Sequence, residues 1–145
     1  MTEQEFQELF HDLDRTLGLN PNKARLAATW VLAARGFVAE AVDCLPHLVF
    51  VGPPKNARDR AVRLVAASVQ DLLVESTRTP KRRGIILIED YDELSTSDEE
   101  DADIVRDLLL RPDAPMRRPV LMGCGHKSFS FPDSTPALVV VLDVR

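Results

Sequence analysis

The first third of the chain carries apolar residues at the three- and four-residue spacing of helices. The first predicted helix has one apolar side, formed by Phe6, Leu9, Phe10, Leu13 and Leu17. Residues 23–35 are rich in Ala and Leu and predict a second helix, with Trp30 in the core. We expect Gly36 to break this helix and residues 37–45 to form a short third helix that ends before Pro46.

After residue 45 the pattern changes to short, continuous apolar runs. These runs occupy residues 47–51, 85–88, 120–122 and 137–142. Runs of this length, closed by Gly, Pro or charged residues, predict strands. We expect the first strand to be buried on both faces and the second to be buried as well. Helical repeats at residues 57–74 and 104–109 separate the first strand from the second and the second from the third.

Strands that alternate with helices indicate right-handed crossovers and a parallel sheet. The predicted fold class is therefore α/β, a three-layer parallel sheet with helices on both faces, preceded by an N-terminal helical segment. We divide the chain into that segment at residues 1–45, packed on or appended to the core, and an α/β core at residues 46–145.

Composition narrows the class of protein. The 145 residues are 45% hydrophobic and 28% charged, as in a single soluble domain with one modest core. The formal net charge of −5 makes direct contact with nucleic acid unfavourable. The opening residues are acidic and no apolar run has the length of a membrane span, so we expect a cytoplasmic protein without a membrane segment. We expect Cys44 and Cys124 to be free, buried thiols.

The loop after the first strand has the outline of a P-loop. A working P-loop, G-x-x-x-x-G-K-[ST], wraps phosphates with backbone N–H groups, contacts them with Lys and binds Mg²⁺ through the hydroxyl. Gly52 matches the first position, but Ala57, Arg58 and Asp59 replace the second Gly, the Lys and the hydroxyl residue. The carboxylate of Asp59 is the most damaging change, because it brings negative charge toward the phosphate position.

The second strand ends in two adjacent acids, Glu89 and Asp90. Four apolar residues followed by two acids form a Walker B pattern, in which the first acid orients Mg²⁺ and the second polarises the attacking water. The alternative is a strand that simply ends in solvated acids where it leaves the core.

In order along the chain, these segments resemble the AAA+ branch of P-loop ATPases, especially clamp loaders. Residues 45–54 look like the approach to its Walker A loop, residues 88–94 like its Walker B strand, and residues 120–126 like its sensor strand. The chain departs from the family in several respects. Gly125 and His126 lie nearest to the position of the usual sensor Asn or Thr, and little room is left for a strand between the Walker motifs. We also expect the α/β core to lack the C-terminal helical lid of the family.

The resemblance and the changed P-loop together predict a non-catalytic, P-loop-like or AAA+-like domain. We expect it to bind another protein as an adaptor, assembly or regulatory subunit, whether the chain is a whole protein or part of one. No cofactor or metal is expected. The degenerate phosphate loop would be formed by Gly52, Lys55, Asn56 and Arg58.

Two other functions stay open. The first is a divergent ATPase that uses ATP and Mg²⁺, with Glu89 and Asp90 as catalytic residues and Asp59 and Glu89 as metal ligands. The second is a flavodoxin-like module that binds phosphate or another anion at residues 52–56, where a helix begins.

Overall fold

Two capped helices form the N-terminal part of the molecule. The computed structural model describes residues 1–41, 44–73, 84–92, 119–125 and 137–142, and its first helices are α1, Glu3–Thr16, and α2, Pro21–Val38. Thr2 begins α1 in a capping box with Glu5. Asn20 begins α2, and its side chain accepts a hydrogen bond from the Lys23 backbone N–H. Trp30 is buried as predicted, and its indole N–H donates to the Pro46 carbonyl at 2.8 Å.

The prediction that Gly36 ends the second helix is wrong. α2 continues through Gly36 to Val38, so Phe37 and Val38 belong to it rather than to a third helix. A glycine inside a helix costs about 1 kcal/mol relative to Ala. Burial of Phe37 in the core offsets that cost. Residues 42 and 43 of the predicted third helix lie outside the described part of the chain.

The four predicted strands form one parallel sheet, which confirms the α/β class. They are β1, His47–Val51; β2, Ile86–Ile88; β3, Val120–Cys124; and β4, Ala137–Val141. Their order is β2-β3-β1-β4, with every neighbouring pair parallel. Leu73 forms a single parallel bridge with Ile85 beside β2.

The helix between β1 and β2 is shorter than predicted. α3, Lys55–Ser68, starts two residues before residue 57 and ends well before residue 74. A 3₁₀ turn, Gln70–Leu72, then leads to the bridge at Leu73. The predicted helix at residues 104–109 lies outside the described residues.

One hydrophobic cluster joins the helices to one face of the sheet. It contains Leu13 of α1, Val31 of α2, Val65 of α3 and the strand residues Leu48 and Leu121. Val49, Val51, Val120, Met122 and Cys124 lie on the opposite face and are also buried. Helices on both faces of the sheet stay a prediction, because the described helices pack on the first face. None of these helices is long and apolar enough to cross a membrane.

Candidate functional site

The strand order brings three loops together at the carboxyl edge of the sheet. From β1 the chain passes β3 to reach β2, whereas from β3 it passes β1 to reach β4, so the two connections run in opposite directions. Open α/β sheets bind ligands where the direction reverses in this way, outside the carboxyl ends of the strands. Here that point lies between β1 and β3, where the Gly52 N–H donates to the Cys124 carbonyl at 2.9 Å. The candidate site is therefore the edge formed by the ends of β1, β2 and β3.

The loop between β1 and α3 offers few donors to a phosphate. Gly52 has a φ of 99°, a left-handed conformation that favours glycine. Pro53 and Pro54 follow it, and proline has no backbone N–H. Pro54 is also the N-cap residue of α3 and makes no side-chain capping hydrogen bond. Two of the positions that would wrap a phosphate in a P-loop are therefore without a donor.

The side chain of Arg58 fills the edge behind this loop. Arg58 is only 4% exposed, and its Nη1 donates to the Gly52 carbonyl at 3.2 Å. Its Nη2 lies 4.0 Å from Oδ2 of Asp90, a side chain that is 9% exposed. The Nε atom is buried and has no hydrogen-bond partner among the described residues. The guanidinium thus connects the end of β1 to the end of β2.

Two glycines of β3 and its exit make room for these contacts. A Cβ added to Gly123 would lie 2.7 Å from the Glu89 carbonyl oxygen and 3.4 Å from Cγ of Arg58. A Cβ added to Gly125 would lie 2.5 Å from Oδ2 of Asp92 and 3.2 Å from Nη1 of Arg58. Any side chain at either position would therefore displace the arginine or its neighbours.

Asp92 fastens the exit of β2 to the end of β3. Its Oδ2 accepts a hydrogen bond from the Gly125 N–H at 2.9 Å, and its Oδ1 lies 3.8 Å from the Cys124 thiol, which donates to it. The Asp92 N–H in turn donates to Oδ1 of Asp90 at 3.0 Å. Asp90 and Asp92 are therefore held in place by the ends of the strands.

Charged residues surround a small polar cavity next to Arg58. The cavity has a volume of about 170 Å³ and is lined by Lys55, Asp59, Arg63, Glu89 and Asp90. The Lys55 ammonium lies 3.7 Å from a carboxylate oxygen of Asp59 and 3.7 Å from one of Asp90. The described residues contain no group of three or more His, Cys, Asp or Glu side chains suited to a metal ion. Asp59 and Asp90 therefore already face the ammonium of Lys55.

The structure brings most of the predicted site residues to this edge. Gly52 and Arg58 are in direct contact, and Lys55 lines the cavity with Glu89 and Asp90. Asn56 instead uses its side-chain oxygen to accept a hydrogen bond from the Ala57 N–H at 3.0 Å.

The sequence interpretation missed the parts played by Asp92 and Gly123. The spacing Asp90-x-Asp92 after a strand and the glycine pair at 123 and 125 were the available signals. His126, which the resemblance placed near the sensor position, lies outside the described residues. Of the two cysteines, Cys124 is buried as expected, whereas Cys44 is exposed, contrary to expectation.

A second, larger cavity adjoins the first along α3, and Asp59 and Arg63 line both. It is an open groove of about 1020 Å³ between the end of α1 and the outer side of α3. Its described lining includes Arg15, Ala57, Arg60, Arg63 and Leu64. This surface combines arginines with small apolar side chains, and we call it the α1–α3 groove.

Comparisons with protein-family models, with curated proteins and with solved structures found no match for this chain.

Proposed function

We propose that this chain is a non-catalytic, P-loop-like domain that acts by binding another protein, as an adaptor, assembly or regulatory subunit. The observation that carries the proposal is the buried side chain of Arg58, which stands at the position of the P-loop lysine in the sequence and donates to the Gly52 carbonyl. It takes no nucleotide and needs no metal.

The bonding of Arg58 supports the loss of nucleotide binding. A P-loop lysine contacts the outer phosphates of the nucleotide. The Arg58 guanidinium instead donates to the loop carbonyl of Gly52 and lies beside Asp90, so binding of a phosphate would require these contacts to break. The missing N–H groups of Pro53 and Pro54 do not by themselves argue against a nucleotide, because these prolines belong to the segment that resembles the AAA+ loop. They weigh against the flavodoxin-like anion module, which would use the backbone donors of residues 52–56.

The neighbourhood of the three loops supports the P-loop-like part of the proposal. β3 lies between β1 and β2, so its end at Gly125 adjoins both the degenerate loop and the acids after β2. The resemblance assigns these three segments to the Walker A, sensor and Walker B positions. Their juxtaposition at one edge agrees with that assignment.

Titration calorimetry with ATP and Mg²⁺ tests the proposal. We expect no saturable heat for the unchanged chain at ATP concentrations up to about 1 mM. A Kd of 1 mM corresponds to a binding free energy of about −4 kcal/mol, so this range includes weak binding. Saturable binding in the micromolar range would contradict the proposal. The triple variant Ala57→Gly, Arg58→Lys, Asp59→Thr restores the residues of the motif. A gain of binding in this variant would show that the native side chains block the site.

The ATPase alternative has one observation in its favour, because Asp59, Glu89 and Asp90 line a single cavity. If the chain hydrolyses ATP through these acids, Glu89→Gln or Asp90→Asn must abolish phosphate release. Turnover that persists unchanged in both variants would reject those roles.

A further inference from the structure

The α1–α3 groove has the features of a docking site for an acidic peptide segment. We infer that it binds a negatively charged, amphipathic segment of a partner protein, whose carboxylates contact Arg15, Arg60 and Arg63. The inference rests on the proposed function, since it names the surface and the chemistry of the partner.

The arginines of the groove are available for binding. Arg60 and Arg63 are exposed, and within the described part of the chain neither forms an ion pair or a side-chain hydrogen bond. Arg15 is 76% exposed and lies 3.6 Å from Asp12, an exposed pair that contributes little to stability. Among the described lining residues Asp59 is the single acid, and its carboxylate lies 3.7 Å from Lys55. The groove is therefore locally positive in a chain whose net charge is −5.

The spacing along α3 sets the length of the segment. Asn56, Arg60, Arg63 and Ala67 follow one another at four-, three- and four-residue intervals, so they lie on one side of the helix. At 1.5 Å per residue this stripe is about 16 Å long, which matches about three turns of a helical peptide. Arginine pairs with carboxylates through two parallel hydrogen bonds, so acids at helical spacing on a partner could each contact an arginine of this stripe.

The floor of the groove adds an apolar element. Ala57 and Leu64 line the groove and are partly buried against the core. A partner segment with apolar side chains between its acids would cover them, as amphipathic helices do in other grooves. None of the described lining residues is aromatic, so the groove offers no platform on which a nucleotide base could stack. These features favour an acidic peptide over a nucleotide.

Fluorescence anisotropy with designed peptides tests the inference. The probe is a labelled 15-residue peptide with Glu and Leu at helical spacing, and the matched peptide carries Gln in place of Glu. We expect the Glu peptide to bind at least tenfold more tightly than the Gln peptide. Raising NaCl from 50 to 300 mM should weaken binding several-fold, because the contacts are exposed charges.

Charge reversal locates the binding surface. The double variant Arg60→Glu, Arg63→Glu should weaken binding of the Glu peptide at least tenfold. The control Arg25→Glu changes an exposed arginine of α2 that does not line the groove, and it should change binding less than twofold. Amide chemical shifts of Ala57, Leu64 and Ala67 should move on titration with the peptide. The milder variant Arg63→Gln keeps the test valid if the double variant folds poorly, and it should weaken binding about threefold.

Several outcomes would overturn the inference. These are equal binding of the Glu and Gln peptides, no binding of either peptide, an equal loss in Arg25→Glu, or displacement of the peptide by ATP and Mg²⁺. The calorimetric titration separates this failure from failure of the proposed function. Absence of both peptide and nucleotide binding rejects the groove alone, whereas micromolar nucleotide binding rejects the non-catalytic function whatever the peptide does.

Discussion

The carboxyl edge of the sheet and the α1–α3 groove both adjoin α3, which supplies arginines to both, and Arg63 lines the groove as well as the small polar cavity at the edge. At the edge, Arg58 is buried and its guanidinium is bonded within the chain. In the groove, Arg60 and Arg63 are exposed and, within the described residues, unpaired. Arg58 thus stabilises the fold, whereas Arg60 and Arg63, two and five residues further along the same helix, are free to bind.

Burial, rather than residue type, sets the role of a charged side chain in these two regions. Cations and acids at the edge compensate one another, as in the contacts of Lys55 with Asp59 and Asp90. A buried charge needs such partners, whereas an exposed one is solvated and can exchange water for a ligand. Changes at the edge should therefore affect stability, and changes in the groove should affect binding.

The largest effect is expected from Arg58→Ala. This change removes the bond to Gly52 and leaves the nearly buried Asp90 with a weaker cationic environment. Loss of one member of a buried charge pair costs about 3–5 kcal/mol, and the 4.0 Å separation from Asp90 places the expected loss of unfolding free energy near the lower end, about 3 kcal/mol. Urea denaturation followed by circular dichroism would measure it.

The matched control is Arg60→Ala, two residues further along α3 and exposed. It should change the unfolding free energy by less than about 0.5 kcal/mol, as surface substitutions usually do. Equal losses in the two variants would show that the buried contacts of Arg58 contribute nothing specific. Arg58→Lys should be intermediate, because it retains the charge but not the forked geometry.

A smaller loss is expected from Gly123→Ala. The new Cβ would lie 2.7 Å from the Glu89 carbonyl oxygen, a backbone atom that cannot rotate away. Overpacking of this kind costs about 1–3 kcal/mol. Thermal unfolding would detect a lower midpoint. Gly36→Ala within α2 serves as the control and should be neutral or stabilising by up to about 1 kcal/mol, because alanine favours the helix. If Gly123→Ala were equally stable, the edge would be less tightly packed than described.

Periodicity of apolar residues predicted most of the described architecture. The four strands lie within two residues of their predicted bounds, because a short apolar run closed by Gly, Pro or charged residues has few alternatives to a strand of a parallel sheet. Helix ends were harder to predict. A sequence pattern shows only that glycine disfavours a helix interior. Gly36 nevertheless lies inside α2, because burial of Phe37 in the core outweighs that local preference.

The position of the site could be predicted from the sequence, but the side-chain contacts within it could not. A degenerate loop between a strand and a helix identified Gly52 and Arg58 from sequence. The direction of the Arg58 side chain depends on β3, whose glycines are 65 or more residues away along the chain and leave the space that the arginine occupies. The contact of Asp92 with Gly125 likewise joins residues 33 apart, so the local spacing around each residue signals its importance but not their contact. Long-range packing therefore decided what fills the loop.

The smallest effect is expected for the exposed ion pair between Arg35 and Asp71. Arg35 donates to both carboxylate oxygens of Asp71, at 3.1 and 3.3 Å, and these hydrogen bonds hold the pKa of Asp71 below its ordinary value of 3.8. A lowered pKa in the folded state stabilises the protein above the unfolded pKa, and this contribution is lost as pH falls through the folded value.

The variant Asp71→Asn should therefore be slightly less stable than the unchanged protein at neutral pH. The difference should begin to shrink as pH approaches 3.8 and continue to fall below it. Melting temperatures of both proteins between pH 7 and pH 2.5 would measure this convergence, whereas a gap that widened toward acid would reverse the sign and reject the pairing as its cause.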